Sequence, residues 1–395
     1  MKKIFLFIVF LSFFFGLKAQ NKKVVGFLPH YRFQHTDQIN FKSITHLNLA
    51  FANPDMEGNL SFENAPIAYT INQAKASDVK VFISLAGGYL TSEWEAAWNH
   101  LMKEANRSDF IHKIVKYVKY NNCDGVDMDL EWQFVTDLYS PFVDDLIDSL
   151  HAHGLECSAS LPGTYRYPEI TDNTLQKLDW VNMMVYDLRG PWDPGNPGPH
   201  SPFSFAENSL YYWKGEGMTN DRLTLGMPFY GYDFGTSNVS AYTYRYIVSL
   251  DENNAYQDQV DEIYYNGINT IKAKTQFAID EDLLGVMMWE LGQDSYTELS
   301  LLQAIDEVIN SQATFTFEEE AIDIRIYPNP VQSELFISSD KECIYQLFDL
   351  QGRIVSMDLT KNTKHQIFTF ELPKGLYHLR IQTDSGIIVK SIAKQ

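Results

Sequence analysis

Eight short apolar runs recur between about residues 22 and 312, each followed by a longer segment that reads as helix or loop. No other property of the chain limits its fold as strongly. The runs are VVGFLPHY (24–31), HLNLAFA (46–52), VKVFISLAGG (79–88), GVDMDLEW (125–132), ECSASLP (156–162), WVNMMVYDL (180–188), LTLGMPFYG (223–231) and LGVMMWELG (284–292). Several are apolar almost throughout, as expected of parallel strands covered by helices on the outside. Helical periodicity predicts helices over 64–77, 109–120, 139–153, 205–215 and 300–309. Eight strand–helix repeats in about 290 residues match an α/β TIM (β/α)8 barrel in count and size. A doubly wound sheet would require a glycine-rich loop after the first strand, and VVGFLPHYRF contains none.

The flanks differ from this repeat. Residues 1–20 join a basic MKK start to an apolar run and a small residue at Ala19, the pattern of a cleaved secretory signal peptide. No other stretch reaches the roughly 18 apolar residues of a membrane span, so the mature protein is expected to be soluble. The catalytic-size barrel should occupy residues 21–312, with a linker at 313–321. Residues 322–395 read as short strands between turns, predicting a small all-β sandwich. The gap from 232 to 283, long and rich in Tyr and Asn, has room for a small insertion on the active face.

The net charge of −20 argues against a nucleic-acid partner, since nothing basic is present to neutralise phosphates. It suits a neutral or cationic substrate. Three widely spaced cysteines, Cys123, Cys157 and Cys343, do not form a disulfide framework and read as buried thiols. No spacing of Cys or His indicates a metal site, and no cofactor is required.

The fourth run carries the chemistry. In a strand, side chains two apart share a face, so Asp127, Asp129 and Glu131 point one way while Val126, Met128 and Leu130 pack outward. Asp124 is out of phase and belongs to the start of the strand. In a barrel the acid face is the interior, and Glu131 reaches the C-terminal rim, where active sites sit. Carboxylates this close cannot all ionise, so at least one should retain a proton, as a general acid needs. A calcium loop is the competing explanation, but alternation with bulky apolar residues is strand-like and no Gly or Asn breaks it.

DGVDMDLE reproduces the D-x-x-D-x-D-x-E signature and so resembles the family 18 glycoside hydrolases, the chitinases among them. MVYD, the loop RGPWDPGNPGPHSPF, GMPFYG and GVMMWEL resemble that family's later strand motifs, in order. The resemblance implies substrate-assisted retaining hydrolysis of β-1,4 bonds between N-acetylglucosamine units. It implies Glu131 as acid/base, Asp129 as the group orienting the substrate acetamide, Asp127 behind it, and Tyr186 on the acetamide carbonyl. It further implies sugar contacts from Asp187, Trp289, Tyr230, Trp192 and Tyr89, with Trp94 and Trp98 as further subsite candidates. Departures stand at SLAGG (84–88), with one residue extra or an Ala in place of a Gly, at Tyr89 where Trp is usual, and at Tyr232 where many members carry Arg. An endo-β-N-acetylglucosaminidase acting on N-glycans shares the motif. A chitin-binding lectin or a peptidoglycan hydrolase could use the same barrel.

IYPNPVQSELFIS, FDLQGRIV and LPKGLYHLRI resemble the C-terminal sorting domain of the type IX secretion system. That implies a secreted protein, extracellular or at the cell surface, whose partners are chitin or N-acetylglucosamine oligosaccharides and the secretion machinery, acting as a monomer. A carbohydrate-binding sandwich would want exposed tryptophans, and the segment has none.

Overall fold

The computed structural model describes residues 22–63, 65–314, 324–349, 354–383 and 386–395. The segment read as a signal peptide lies outside the described residues, as does most of the expected linker. The chain divides into two units, Met1–Ala313 and Thr314–Gln395.

All eight expected strands are present: β1 (Lys23–Pro29), β2 (His46–Pro54), β3 (Lys80–Gly87), β4 (Gly125–Leu130), β5 (Glu156–Pro162), β6 (Trp180–Met184), β7 (Leu223–Pro228) and β8 (Gly285–Trp289). Each pairs in parallel with the next, and β1 pairs with both β8 (Val24 opposite Val286) and β2 (Val25 opposite His46). The sheet is therefore closed into a TIM barrel, which leaves no exposed edge. Outward side chains of β4, namely Val126, Met128 and Leu130, join the main hydrophobic core with Ile114 and Val118 of the helix Glu104–Tyr120 and with Phe142 and Leu146 of the helix Tyr139–His151. The 3.6-residue spacing of such apolar positions is what gives each helix a single face to bury.

Four helices were not anticipated, at Ser92–Leu101, Asp172–Lys177, Tyr244–Leu250 and Ile268–Asp280. Three of them begin at a threonine, Thr91, Thr171 or Thr243, whose hydroxyl accepts from the backbone N–H three residues on. That is an N-cap signal short enough to overlook in a polar stretch. After β7 the anticipated insertion takes the form of a small antiparallel sheet, Tyr230–Asp233, Ser240–Thr243, Gln259–Val260 and Ile263–Tyr264.

The second unit is an all-β domain of five antiparallel strands, Ile324–Tyr327, Glu334–Phe348, Ile354–Phe368, Gly375–Thr383 and Gly386–Lys394. Its own core contains Val331, Leu335, Ile337, Leu347, Leu379 and Ile381. Among the described residues, no helix is long and apolar enough to cross a membrane.

Candidate active site

Register brings the polar interior together. Asp127 of β4 lies opposite Ser84 on β3 and Ser158 on β5, and Ser160 on β5 lies opposite Asn182 on β6. Four side chains donate to the buried Asp127 carboxyl: Ser84 Oγ (2.9 Å), Ser158 Oγ (2.6 Å), Ser160 Oγ (3.2 Å) and Asn182 Nδ2 (3.0 Å). Asn182 Oδ1 in turn accepts from Trp180 Nε1 (3.0 Å) and Thr224 Oγ1 (2.7 Å). Burial pushes the Asp127 pKa up, and the four donors pull against that rise. Asp124, by contrast, ties down the lower end of β4, accepting from Val81 N (2.6 Å) and pairing with Lys75.

Asp129, one step up the same face, is also buried, and its Oδ1 has no hydrogen-bond partner among the described residues. Burial, then the charges of Glu131 and Asp127, push its pKa well above the usual carboxylate range. Glu131 ends the row, half-buried at the rim. Its pKa is pushed up to about 8, by burial first and then by the nearby charge of Asp187. A carboxyl still protonated at neutral pH is a proton donor in waiting.

The strand-three motif shapes the space beside Glu131. β3 and β4 stay in unbroken register from Phe82 opposite Gly125 to Gly87 opposite Leu130, so SLAGG carries no bulge against β4. Ala86 takes a left-handed backbone (φ 78°), as does Gly87 (φ 96°). Asn53 Nδ2 holds the Ala86 carbonyl (3.0 Å) and its Oδ1 accepts from Trp98 Nε1 (2.9 Å). Trp98 is therefore a buried core residue, not part of a sugar subsite.

Across the barrel, Tyr186 follows β6 and its hydroxyl lies 3.8 Å from Met287 Sδ. Burial pushes its phenol pKa well up, and the charges of Asp129, Asp187 and Glu131 push the same way. Trp289, at the end of β8, stacks on Phe51 (ring centres 5.6 Å apart, 19° between planes) and leans on Phe27. Asp187 has a left-handed φ of 62°, and its Oδ1 accepts from the hydroxyls of Tyr230 and Tyr232.

Asp129, Glu131, Tyr186, Asp187, Trp289, Trp192, Tyr89 and Trp94 all line one cleft of about 970 Å³ at the C-terminal end of the strands. Asp127 and Tyr230 stand behind it, the first under Asp129 and Ser160, the second bonded to Asp187. Sequence reasoning missed Trp132, Tyr31 and Glu63, which also line it. Trp132 had a signal, an aromatic directly after Glu131. Its φ of 55° turns the ring into solvent, where it is 56% exposed, and its N–H donates to Tyr167 (3.0 Å). Among the described residues no group of three His, Cys, Asp or Glu side chains could hold a metal ion.

The model of glycosyl hydrolases family 18 matches residues 23–294, and that of a secretion system C-terminal sorting domain matches residues 325–395. The chain is similar to the crystal structure of the family 18 chitinase ChiB from the chitin utilization locus of Flavobacterium johnsoniae. Identity is 39% and the TM-score 0.72, covering 74% of this chain and 96% of that one. A chitinase from Bacteroides thetaiotaomicron shares the fold at 24% identity and a TM-score of 0.66, covering 75% of this chain and 99% of that one. The class V chitinase of Arabidopsis thaliana is 25% identical, over 75% of this chain and 94% of that protein.

Proposed function

The chain belongs to glycosyl hydrolase family 18, and from that premise we propose that it is a secreted chitinase cleaving β-1,4 bonds between N-acetylglucosamine units, with Glu131 as acid/base. Glu131 gives its proton to the glycosidic oxygen as the bond to the anomeric carbon breaks. The acetamide carbonyl of the same sugar forms the new bond to that carbon, producing an oxazolinium-like intermediate. Asp129 takes the acetamide N–H on its buried, otherwise unpartnered oxygen and balances the positive charge that develops. Tyr186 holds the acetamide carbonyl in line for attack. Trp289 presents a flat face to the C–H face of the ring. Water then opens the intermediate, and the Glu131 carboxylate takes its proton back.

One observation carries this reading. A carboxyl with its pKa raised to about 8 sits on the wall of an aromatic cleft, one strand position above a second acid that has a free oxygen. The sorting domain supports export, and the cleft's aromatic lining suits neutral sugars.

Product analysis on chitin oligosaccharides, with a high-mannose glycopeptide in parallel, tests it. Release of diacetylchitobiose from the oligosaccharides alone is expected. Cleavage of the glycopeptide core alone would move the protein to N-glycan processing, and no cleavage of either would remove the chitinase reading in favour of a lectin or a peptidoglycan hydrolase.

A further inference from the structure

We propose that His200 is a positioning residue, which seats the Asp187 carboxylate beside the cleft from a site closed to solvent, through the two tyrosine rings it packs against and through its backbone. The inference rests on the hydrolytic reading of the cleft given above. It concerns a residue that neither the acid motif nor the strand ends contain.

His200 has no solvent exposure, and its ring packs against Tyr230 and Tyr232 with centroids 4.9 Å and 5.1 Å away. Both tyrosine hydroxyls donate to the same Asp187 oxygen, Oδ1. The His200 Nδ1 lies 3.6 Å from that oxygen and has no hydrogen-bond partner among the described residues. Three rings thus converge on one carboxylate oxygen.

The other ring nitrogen fixes the tautomer. Nε2 is 3.2 Å from the Tyr230 carbonyl oxygen, which can only accept, so Nε2 carries a hydrogen. Nε2 thereby ties the ring to the Tyr230 backbone, next to the hydroxyl that holds Asp187, and Nδ1 faces Asp187 as a lone pair. The titratable groups facing the ring are Asp187 at the end of β6 and Tyr230 and Tyr232 on the strand after β7.

The backbone makes the same connection. Leu188 N–H donates to the His200 carbonyl (3.0 Å), and the Ser201 hydroxyl donates to the Val185 carbonyl. Residues 200 and 201 therefore grip the chain on both sides of Tyr186 and Asp187, the latter in a left-handed conformation that needs outside support. Ser201 is itself held by the buried Lys274, whose Nζ donates to Ser201 O, Ser201 Oγ and Asn266 Oδ1, each at 2.7 Å. Because the charge of Asp187 helps keep Glu131 protonated, the seat of this one oxygen bears on the proton donor.

Three substitutions separate this role from packing. His200→Asn keeps an amide near the Nδ1 position, His200→Gln reaches instead toward the Tyr230 carbonyl, and His200→Phe keeps only the ring's bulk. In the full chain, His200→Gln should turn over close to the wild-type rate with an unchanged pH profile. His200→Asn and His200→Phe should lose kcat on the order of 10- to 100-fold and shift the basic limb. Equal losses in all three that track their Tm, or wild-type behaviour of His200→Phe, would overturn the proposal. Imidazole nitrogen NMR gives a readout independent of turnover: Asp187→Asn should move the His200 Nδ1 resonance, and an unmoved resonance also overturns it. A wild-type protein that cleaves no N-acetylated sugar would defeat the hydrolytic reading, while the NMR result still decides the role of His200.

Discussion

Gly88 faces Glu131 so closely that a Cβ at position 88 would lie 2.6 Å from Glu131 Oε1. The glycine is required by the carboxyl and not by its own backbone, since no left-handed φ is found there. Gly88→Ala should therefore displace the acid by a few tenths of an ångström or more while leaving the fold intact. We expect kcat to fall on the order of 100-fold with little change in Tm. Wild-type turnover in that variant would show that Glu131 does not need its present seat.

Glu131→Gln should abolish hydrolysis while retaining oligosaccharide binding, measured by calorimetry on chitin oligomers. It should also alter stability in a pH-dependent way. A carboxyl whose pKa rises on folding from 4.5 to about 8 binds its proton more tightly in the folded state. Its stabilising effect is complete below pH 4.5 and disappears as pH climbs to about 8. The variant should thus melt above wild type at pH 8.5, and the gap should narrow toward pH 4.

The same proton sets the activity profile. With Glu131 required in its protonated form, kcat/KM should fall on the alkaline side near pH 8. Burial is the larger cause of the raised value and the Asp187 charge the next. Asp187→Asn removes a negative neighbour, lowers the Glu131 pKa and should move the alkaline limb to lower pH, on the order of one unit or less. A limb that stays in place would remove Asp187 from the electrostatics of the acid.

Asp127 gathers four donors and exposes nothing to the cleft. Asp127→Ala leaves Ser84, Ser158, Ser160 and Asn182 without an acceptor inside the barrel, which should cost about 3–5 kcal/mol of stability. Asp127→Asn fills the same space and should cost less. Denaturant titration of both variants checks the order, and equal midpoints would contradict it.

Much of the barrel was legible because burial on two sides writes itself into a strand as a nearly unbroken apolar run. The acid row was legible for the converse reason, since GVDMDLE alternates charge with hydrocarbon at strand spacing. Ser92–Leu101 and Ile268–Asp280 were not, because the start signals of the first, the Thr91 hydroxyl with Glu93 and Glu95 in the first turn, sit in a polar stretch and the second has no side-chain cap at all. His200 and Lys274 escaped for a different reason. Each serves the site through partners more than 10 residues away in the chain, at Asp187 and Ser201, and no local pattern encodes such a pairing. Tyr230 and Tyr232 were noted in the motif after strand seven, but only register shows that both hydroxyls end on one carboxylate oxygen.

The hydrogen-bonded ring around Asp127 also constrains anyone who would engineer this enzyme for heat resistance. In most barrels the middle layer is a place to add hydrocarbon and gain stability. Here Ser84, Ser158, Ser160, Asn182 and Thr224 are linked to the acid or to one another, so swapping any one for valine or leucine strands a neighbour. Gains should instead be sought in the outer shell, at the helix faces packed around Phe142 and Ile114, where side chains answer only to their neighbours' shapes.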